Sequence, residues 1–133
     1  MTAVLENAMT NHDGYTRGFT RMCFHEPPCQ EDEDWVSTEM KKLPVYIAFA
    51  LYNDFLFQDY TATLPKIDIP LLICCAKSPA IPRGLEMGRY YRDLVGGNCC
   101  FHEFHDLGHV MFLEDPEQFN ETVLYFVETY TRS

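Results

Sequence analysis

The amino-acid sequence predicts an α/β protein in which a helical segment, residues 1–63, precedes a strand–helix–strand–helix unit, residues 64–133. Two observations support this prediction. Apolar residues recur at helical spacing through much of the first half, whereas the second half contains two short, continuous apolar runs. Each run has the length and composition of a strand that is buried on both faces of a parallel sheet. We therefore expect two parallel strands that are joined by a right-handed helical crossover.

The first half contains three helical patterns. Residues 2–24 are predicted to be helical with an interruption near Gly14, and a loop follows at His25–Cys29. Glu31–Lys42 begins with acidic residues and ends with two lysines, which suits the dipole of a helix. Pro44–Phe57 is the third pattern, with its proline in the first helical position. Its predicted packing face consists of Val45, Ala48, Phe49, Tyr52, Phe55 and Leu56.

The second half alternates between strand and helix patterns. Ile67–Ala76 and Cys99–Phe104 are the predicted strands, and Gly84–Leu94 is the predicted helix between them. In the closing helix, Asp115 is the expected N-cap and Pro116 the first residue. The expected buried stripe of that helix is Phe119, Val123, Phe126, Val127 and Tyr130. Because a two-stranded parallel sheet is too small to be a stable domain, we expect this chain to be the end of a larger fold.

Composition excludes several classes of partner. The chain has 133 residues, the length of one ordinary domain, and a net charge of −10 without any basic cluster. Nucleic acids and anionic membranes need a basic surface, so neither is an expected partner. No apolar run is long enough to span a bilayer, and the N-terminus lacks the pattern of a secretory signal. We therefore expect a cytoplasmic protein that self-associates through its unpaired sheet edge.

The six cysteines are expected to be reduced. Cys74-Cys75 and Cys99-Cys100 are adjacent pairs in apolar runs, where a free cysteine acts as a small buried hydrophobic residue. None of the six forms a C-x-x-C motif, and adjacent cysteines rarely form disulfides. We expect few fast-reacting thiols in the folded chain.

Two stretches carry a resemblance to a known family. Leu64–Ile73 (LPKIDIPLLI) and His105–Asn120 (HDLGHVMFLEDPEQFN) resemble the C-terminal part of the α/β-hydrolase fold family. In that family, L-x-x-I-x-x-P-x-L leads into the seventh strand, and the loop after the eighth strand carries the catalytic histidine in a Gly-His pair. A Glu-x-Pro commonly follows and opens the last helix. The residues that match are Gly108, His109, Glu114, Pro116, Phe119 and Asn120.

The resemblance implies a helical cap for residues 1–63 and the C-terminal βαβα portion of a hydrolase core for residues 64–133. It implies that His109 is the general base, which takes a proton from a nucleophile and later returns it to the leaving group. A loop at the carboxyl end of a parallel strand is where α/β sheets bind ligands. The implied activity is hydrolysis of a small-molecule ester, lactone or related acyl substrate, with no cofactor.

The sequence departs from the family pattern in two ways. The G-x-S-x-G nucleophile elbow and the oxyanion-hole stretch are missing, and none of the three serines, Ser37, Ser78 and Ser133, lies in such a motif. Ser78 occupies the position of the usual catalytic aspartate, and an uncharged serine cannot stabilise an imidazolium as a carboxylate does. The implied partner is therefore the missing N-terminal half of the hydrolase, and the chain alone is expected to be inactive.

Two other interpretations remain open. The first is a non-catalytic hydrolase-like remnant that binds a partner through exposed core surface. The second is a metal site, because zinc accepts histidine and cysteine ligands. Its candidate ligands are His102, His105 and His109 with Cys99 or Cys100, and a weaker set is His25 with Cys23 and Cys29. A helix would bring His105 and His109 together, but Gly108 and the strand pattern of Cys99–Phe104 argue against a helix there.

A few further residues are candidates for supporting roles. Trp35, Phe24, Phe55 and Phe57 are candidates to line an apolar pocket under a cap, although such residues are more often ordinary core. Asp106 lies three residues before His109, and we expect it to shape the loop rather than to act as the catalytic acid.

Overall fold

The computed structural model describes residue 6 and residues 8–131. These residues form two units with separate internal packing. The first unit contains the helices that precede Asp59, apart from the short segment Cys23–His25. The second unit contains that segment together with the chain from Tyr60 onward. No helix in the described part of the chain is long and apolar enough to cross a membrane.

In the described part of the first half, residues 8–10 are helical, and three predicted helices follow: α1 His12–Cys23, α2 Gln30–Lys41 and α3 Val45–Phe57. The predicted interruption near Gly14 lies at Asn11, which separates the helical residues 8–10 from α1, and α1 itself continues through Gly14. The helix begins after Asn11, whose Oδ1 accepts a hydrogen bond from the Gly14 N–H at 3.1 Å, as an N-cap side chain does. The part of this prediction that concerns residues 2–5 and 7 lies outside the described residues.

Polar contacts join α1 to α2 inside the first unit. The Glu33 carboxylate is 5% exposed and accepts hydrogen bonds from the Arg21 guanidinium at 2.8 and 2.9 Å and from Arg17 at 3.2 Å. The hydroxyls of Thr16 and Ser37 are both buried and lie 2.7 Å apart. Because each buried polar group has a partner, the helix pair avoids the cost of an unsatisfied buried charge.

Helix α3 forms where predicted, but its packing face is only partly covered. No residue of α3 is buried, and Phe55 and Phe57 are 71% and 77% exposed. The helix is apolar on all sides, so a single neighbour cannot cover it. Within the first unit, Phe49 packs against Tyr15 with ring centroids 6.0 Å apart. Pro44 is the N-cap rather than the first helical residue.

The second unit contains the predicted parallel strands. Strand β1 is Leu71–Ala76 and β2 is Cys99–Phe104, and they pair from Leu71 opposite Cys99 to Ala76 opposite Phe104. β1 begins after Pro70, later than predicted, since proline has no N–H to donate to a sheet. A 3-10 helix at Thr61–Lys66 precedes it. Because the strands are parallel, the loops after Ala76 and Phe104 leave the sheet at the same edge.

Helix α4, Gly84–Val95, connects the two strands as predicted. It ends at Gly96, which has a φ of 81° and is the positive-φ residue that a helix C-terminus commonly uses. The expectation that both strands are buried is wrong for most of their length. Only their last residues, Ala76 and Phe104, are buried, because two strands and their helices cannot cover every side chain.

The core of the second unit lies at the carboxyl end of the strands. Ala76, Phe104, Leu107 and Met111 are buried together, and the Phe119 ring packs against them. The short helix α5, Met111–Glu114, leads into α6, Pro116–Thr131. Asp115 caps α6 as predicted, because its Oδ1 accepts the Gln118 N–H at 2.9 Å. The predicted stripe of α6 is half-buried except at Val127, which is exposed.

Replacing Gly88 by alanine should destabilise the second unit. A Cβ atom at Gly88 would lie 2.4 Å from the Cys75 Sγ and 2.8 Å from a ring carbon of Phe101, so α4 would have to move off the sheet. We expect a loss of about 1–3 kcal/mol in the free energy of unfolding, measured by denaturant titration. Gly18→Ala in α1 is the matched control, since a Cβ there meets no atom within 4 Å. The control should be neutral or stabilising, and equal effects of the two substitutions would contradict the packing argument.

Candidate functional site

The loop that carries His109 is anchored at both ends in the core of the second unit. It follows β2 and precedes α5, so it leaves the carboxyl end of a parallel strand. Leu107, two residues before the histidine, and Met111, two residues after it, are both buried in the core cluster. His109 itself is exposed. The apolar residues on either side therefore hold the loop while the imidazole remains accessible.

The backbone of the loop is also bound to the segment Cys23–His25. The N–H groups of His109 and Val110 both donate to the Cys23 carbonyl, at 2.6 and 3.3 Å. The Glu114 carboxylate accepts the Gly108 N–H through Oε2 and the His25 N–H through Oε1, each at 2.5 Å. We call these four hydrogen bonds the clasp. It joins two stretches of chain that are distant in sequence.

Gly108 is required by close packing rather than by backbone conformation. Among the described residues only Gly96 has a positive φ, so the backbone conformation at Gly108 does not itself require a glycine. A Cβ at Gly108 would lie 2.5 Å from the Cys23 carbonyl oxygen and 2.5 Å from the His25 nitrogen. These are backbone atoms that cannot rotate away. The glycine therefore lets the loop approach the Cys23–His25 segment closely enough to form the clasp.

His109 borders an open cavity of about 210 Å³ between β1, α4 and the loop. The lining is mainly apolar and includes Ile73, Ile81, Met87, Tyr91 and Met111. Among the described residues, none makes a hydrogen bond or an ion pair with the imidazole. The imidazole is thus accessible, beside an apolar cavity, and without the carboxylate that usually orients a catalytic histidine.

Ser78 lies in the loop after β1, at the same edge of the sheet as the His109 loop. It is 2% exposed, and its Oγ accepts the Ala80 N–H at 3.2 Å while its carbonyl accepts the Ile81 N–H at 3.1 Å. These contacts make Ser78 a turn-forming residue. The hydroxyl of Ser78 carries no charge of its own that could stabilise an imidazolium, and its role at the acid position stays a prediction.

The carboxylate that organises the loop is Glu114, not Asp106. Asp106 is exposed, and none of the described residues makes a hydrogen bond or ion pair with it. Glu114 binds two backbone N–H groups instead. The motif Glu-Asp-Pro draws attention to Glu114 in the sequence, but its partner at His25 lies 89 residues away and leaves no local signal.

The candidate zinc ligands do not come together. Cys100 Sγ lies 3.2 Å from the Tyr130 hydroxyl, the His102 ring packs against Phe104 at 4.5 Å, and His105 faces Glu103 at 3.7 Å. In the part of the chain that the structure describes, no three His, Cys, Asp or Glu side chains are grouped as metal ligands would be. These contacts favour ordinary structural roles for the residues of the proposed metal sets.

The cysteines are free but less buried than predicted. Cys23 is buried, Cys29 is exposed at the N-cap of α2, and the four cysteines of the strands are half-buried. Burial raises the pKa of the Cys74, Cys75 and Cys99 thiols, which disfavours the reactive thiolate form.

The aromatic residues proposed for a cap pocket do not share one environment. Trp35, Phe55 and Phe57 are more than half exposed in the first unit, and Phe24 is buried in the second. Within the first unit these side chains therefore form no enclosed pocket.

The fold is similar to part of an esterase. A search of solved structures matches the chain to an esterase from Exiguobacterium antarcticum with a TM-score of 0.83 and 20% sequence identity. The match covers 96% of this chain and 47% of the esterase, so the chain spans about half the length of that structure. At this identity the match establishes similarity of fold alone. A scan against protein-family models found no match. A search of curated proteins found no match either.

Proposed function

We propose that this chain is the C-terminal part of an α/β-hydrolase that cleaves an ester, lactone or related acyl substrate. Residues 1–63 would form a helical cap, residues 64–133 the end of the hydrolase core, and His109 would be the general base. The observation that carries the proposal is the anchored loop with its accessible imidazole at the carboxyl end of two parallel strands. Similarity to half of an esterase fold supports the same interpretation.

The remaining catalytic groups would come from the other half of the hydrolase. That half would supply the nucleophile, the oxyanion hole and the catalytic acid, because none of them has a counterpart among the contacts of His109. The apolar cavity beside the imidazole suits a neutral acyl or alkyl group, since an unpaired charge would lose its hydration there. No cofactor is required for this chemistry. The free cysteines suit a reducing cytoplasm.

A non-catalytic role is the second candidate, and helix α3 favours it. This helix has no buried residue and exposes several aromatic side chains, as an interaction surface does. A hydrolase-like module of this kind would bind a partner chain, or a second copy of itself, without catalysis.

A complementation experiment distinguishes the catalytic function from the non-catalytic one. The chain would be coexpressed with the part of the Exiguobacterium esterase that the structural match leaves uncovered, with a tag on one partner. The proposal predicts a copurifying complex that hydrolyses p-nitrophenyl acetate, and no turnover by either part alone, because the nucleophile and oxyanion hole supply most of the rate. A complex without hydrolysis would favour the non-catalytic role. Absence of a complex, or robust turnover by this chain alone, would contradict the proposed division of catalytic groups.

A further inference from the structure

We propose that Glu114 is a positioning residue for His109, and that it acts by fastening the His109 loop to the segment Cys23–His25. The inference rests on the proposed function, because it concerns the same histidine. It adds that Glu114, which takes no part in the hydrolytic chemistry, fixes the position of the imidazole by binding a segment more than eighty residues upstream.

The geometry of the carboxylate is the first argument. One oxygen of Glu114 accepts the N–H of Gly108, the residue directly before His109, and the other oxygen accepts the N–H of His25. Both oxygens of a glutamate side chain can accept, whereas the amide of glutamine presents a donor at one of the two positions. Glu114 contacts backbone and not the imidazole, so it is not a substitute for the missing catalytic acid.

The second argument is that the clasp restrains the histidine from both sides. The His109 N–H and the Val110 N–H donate to the Cys23 carbonyl, while Glu114 holds Gly108 on the preceding side. Because the backbone is fixed in this way, the imidazole can move only by rotation about the side-chain bonds of His109. A general base must keep within a fraction of an ångström of its proton donor, so this restraint is useful for catalysis.

The Cys23 thiol is buried beside the clasp. Burial, and next the negative charge of Glu114, raise the pKa of Cys23 above its usual value. A neutral, buried thiol at this position is compatible with the tight packing of Gly108 against the same segment. Cys23 therefore serves the clasp through its carbonyl group and not as a nucleophile.

The test uses the 133-residue chain and the variant Glu114→Gln. Glu117→Gln is the matched control, since Glu117 is exposed in the first turn of α6 and its replacement makes the same change of charge. Hydrogen exchange of the backbone amides is followed by NMR, together with the resonances of the His109 imidazole. We expect exchange at Gly108 and His25 to accelerate about tenfold or more, and the His109 resonance to shift or broaden. The Phe104 amide in β2 and the His12 imidazole in α1 should not change.

Two results would overturn the proposal. Unchanged exchange at Gly108 and His25 in Glu114→Gln would mean that the clasp does not hold the loop. Equal acceleration at Phe104 would mean that Glu114 only stabilises the unit as a whole, and a Glu114→Gln chain that fails to fold would have the same meaning. The unmodified chain offers a measurement without any variant, since the Gly108 and His25 amide protons should resonate far downfield as donors to a carboxylate. None of these readouts needs enzymatic activity, so their outcome is separate from the outcome of the complementation experiment.

Discussion

Replacing His109 by alanine is expected to lower kcat for ester hydrolysis about 10⁴-fold in the assembled hydrolase. In the proposed mechanism the imidazole takes the proton of the nucleophile, so its loss removes the general base while binding of the substrate is little affected. The measurement is the rate of p-nitrophenyl acetate hydrolysis by the complex of this chain with the nucleophile-bearing part, with kcat and KM determined separately. We expect the loss in kcat and a nearly unchanged KM.

His105→Ala is the matched control for this experiment. His105 lies in the same loop, is exposed and makes only a 3.7 Å contact with Glu103, so its removal should leave the activity close to that of the unmodified complex. If His109→Ala retains the activity of the unmodified complex, His109 is not the general base. If both variants lose activity equally, the loop as a whole is needed and no role can be assigned to one histidine.

Replacing Gly108 by alanine is expected to produce the largest loss of stability among single substitutions in the loop. The added Cβ would overlap backbone atoms of Cys23, Phe24 and His25 at 2.5–2.6 Å. Neither the His109 loop nor the segment Cys23–His25 can move away without breaking the clasp. We expect a decrease of about 3 kcal/mol in the free energy of unfolding, at the upper end of the range for overpacking. Denaturant titration of the isolated chain, followed by far-UV circular dichroism, measures this decrease.

Gly97→Ala tests whether loss of a loop glycine is itself harmful. A Cβ at Gly97 meets no atom within 4 Å, so this substitution should be neutral or add about 0.4–1 kcal/mol of stability by restricting the unfolded chain. If Gly108→Ala is as stable as Gly97→Ala, the close approach of the loop to Cys23–His25 does not exist in solution. The clasp would then have to be abandoned together with the role of Glu114.

Local features of the fold could be predicted because they depend on neighbouring residues. The acidic start of α2 and the Asp115–Pro116 start of α6 are properties of a few consecutive residues, and both helices begin within one residue of the expected place. The apolar runs of β1 and β2 likewise contain their own signal, and the parallel pairing follows from the helix between them.

Burial was predicted less well, because it depends on what lies against a residue. The apolar spacing of α3 identifies a helix, but it does not say whether a neighbour covers the apolar side, and in this chain none of its residues is buried. The strands were expected to be buried on both faces, as in a many-stranded sheet. With a single strand pair, most of their side chains are only half-buried.

In the candidate site, too, local features could be predicted and features that depend on distant contacts could not. Gly108-His109 could be identified from a short motif, since the motif is contiguous. The function of Gly108 could not be predicted. A glycine is needed there because the backbone of Cys23–His25 lies against it, and no pattern in the sequence links that segment to the loop. The roles of Glu114 and Ser78 also depend on contacts, with His25 in one case and with Ala80 in the other.

The clasp also has a consequence for the order in which this chain folds. β1 and β2 are joined by one helix, so their pairing closes only a short loop, whereas the Glu114–His25 contact spans 89 residues of sequence. Closing a longer loop costs more chain entropy, and contacts of high sequence separation form slowly. The strand–helix–strand unit can therefore assemble first, and His109 acquires its final position only when the segment Cys23–His25 packs against the loop. Because residues 23–25 are synthesised well before their partners in the loop, the geometry of the His109 loop is the last part of the second unit to be completed.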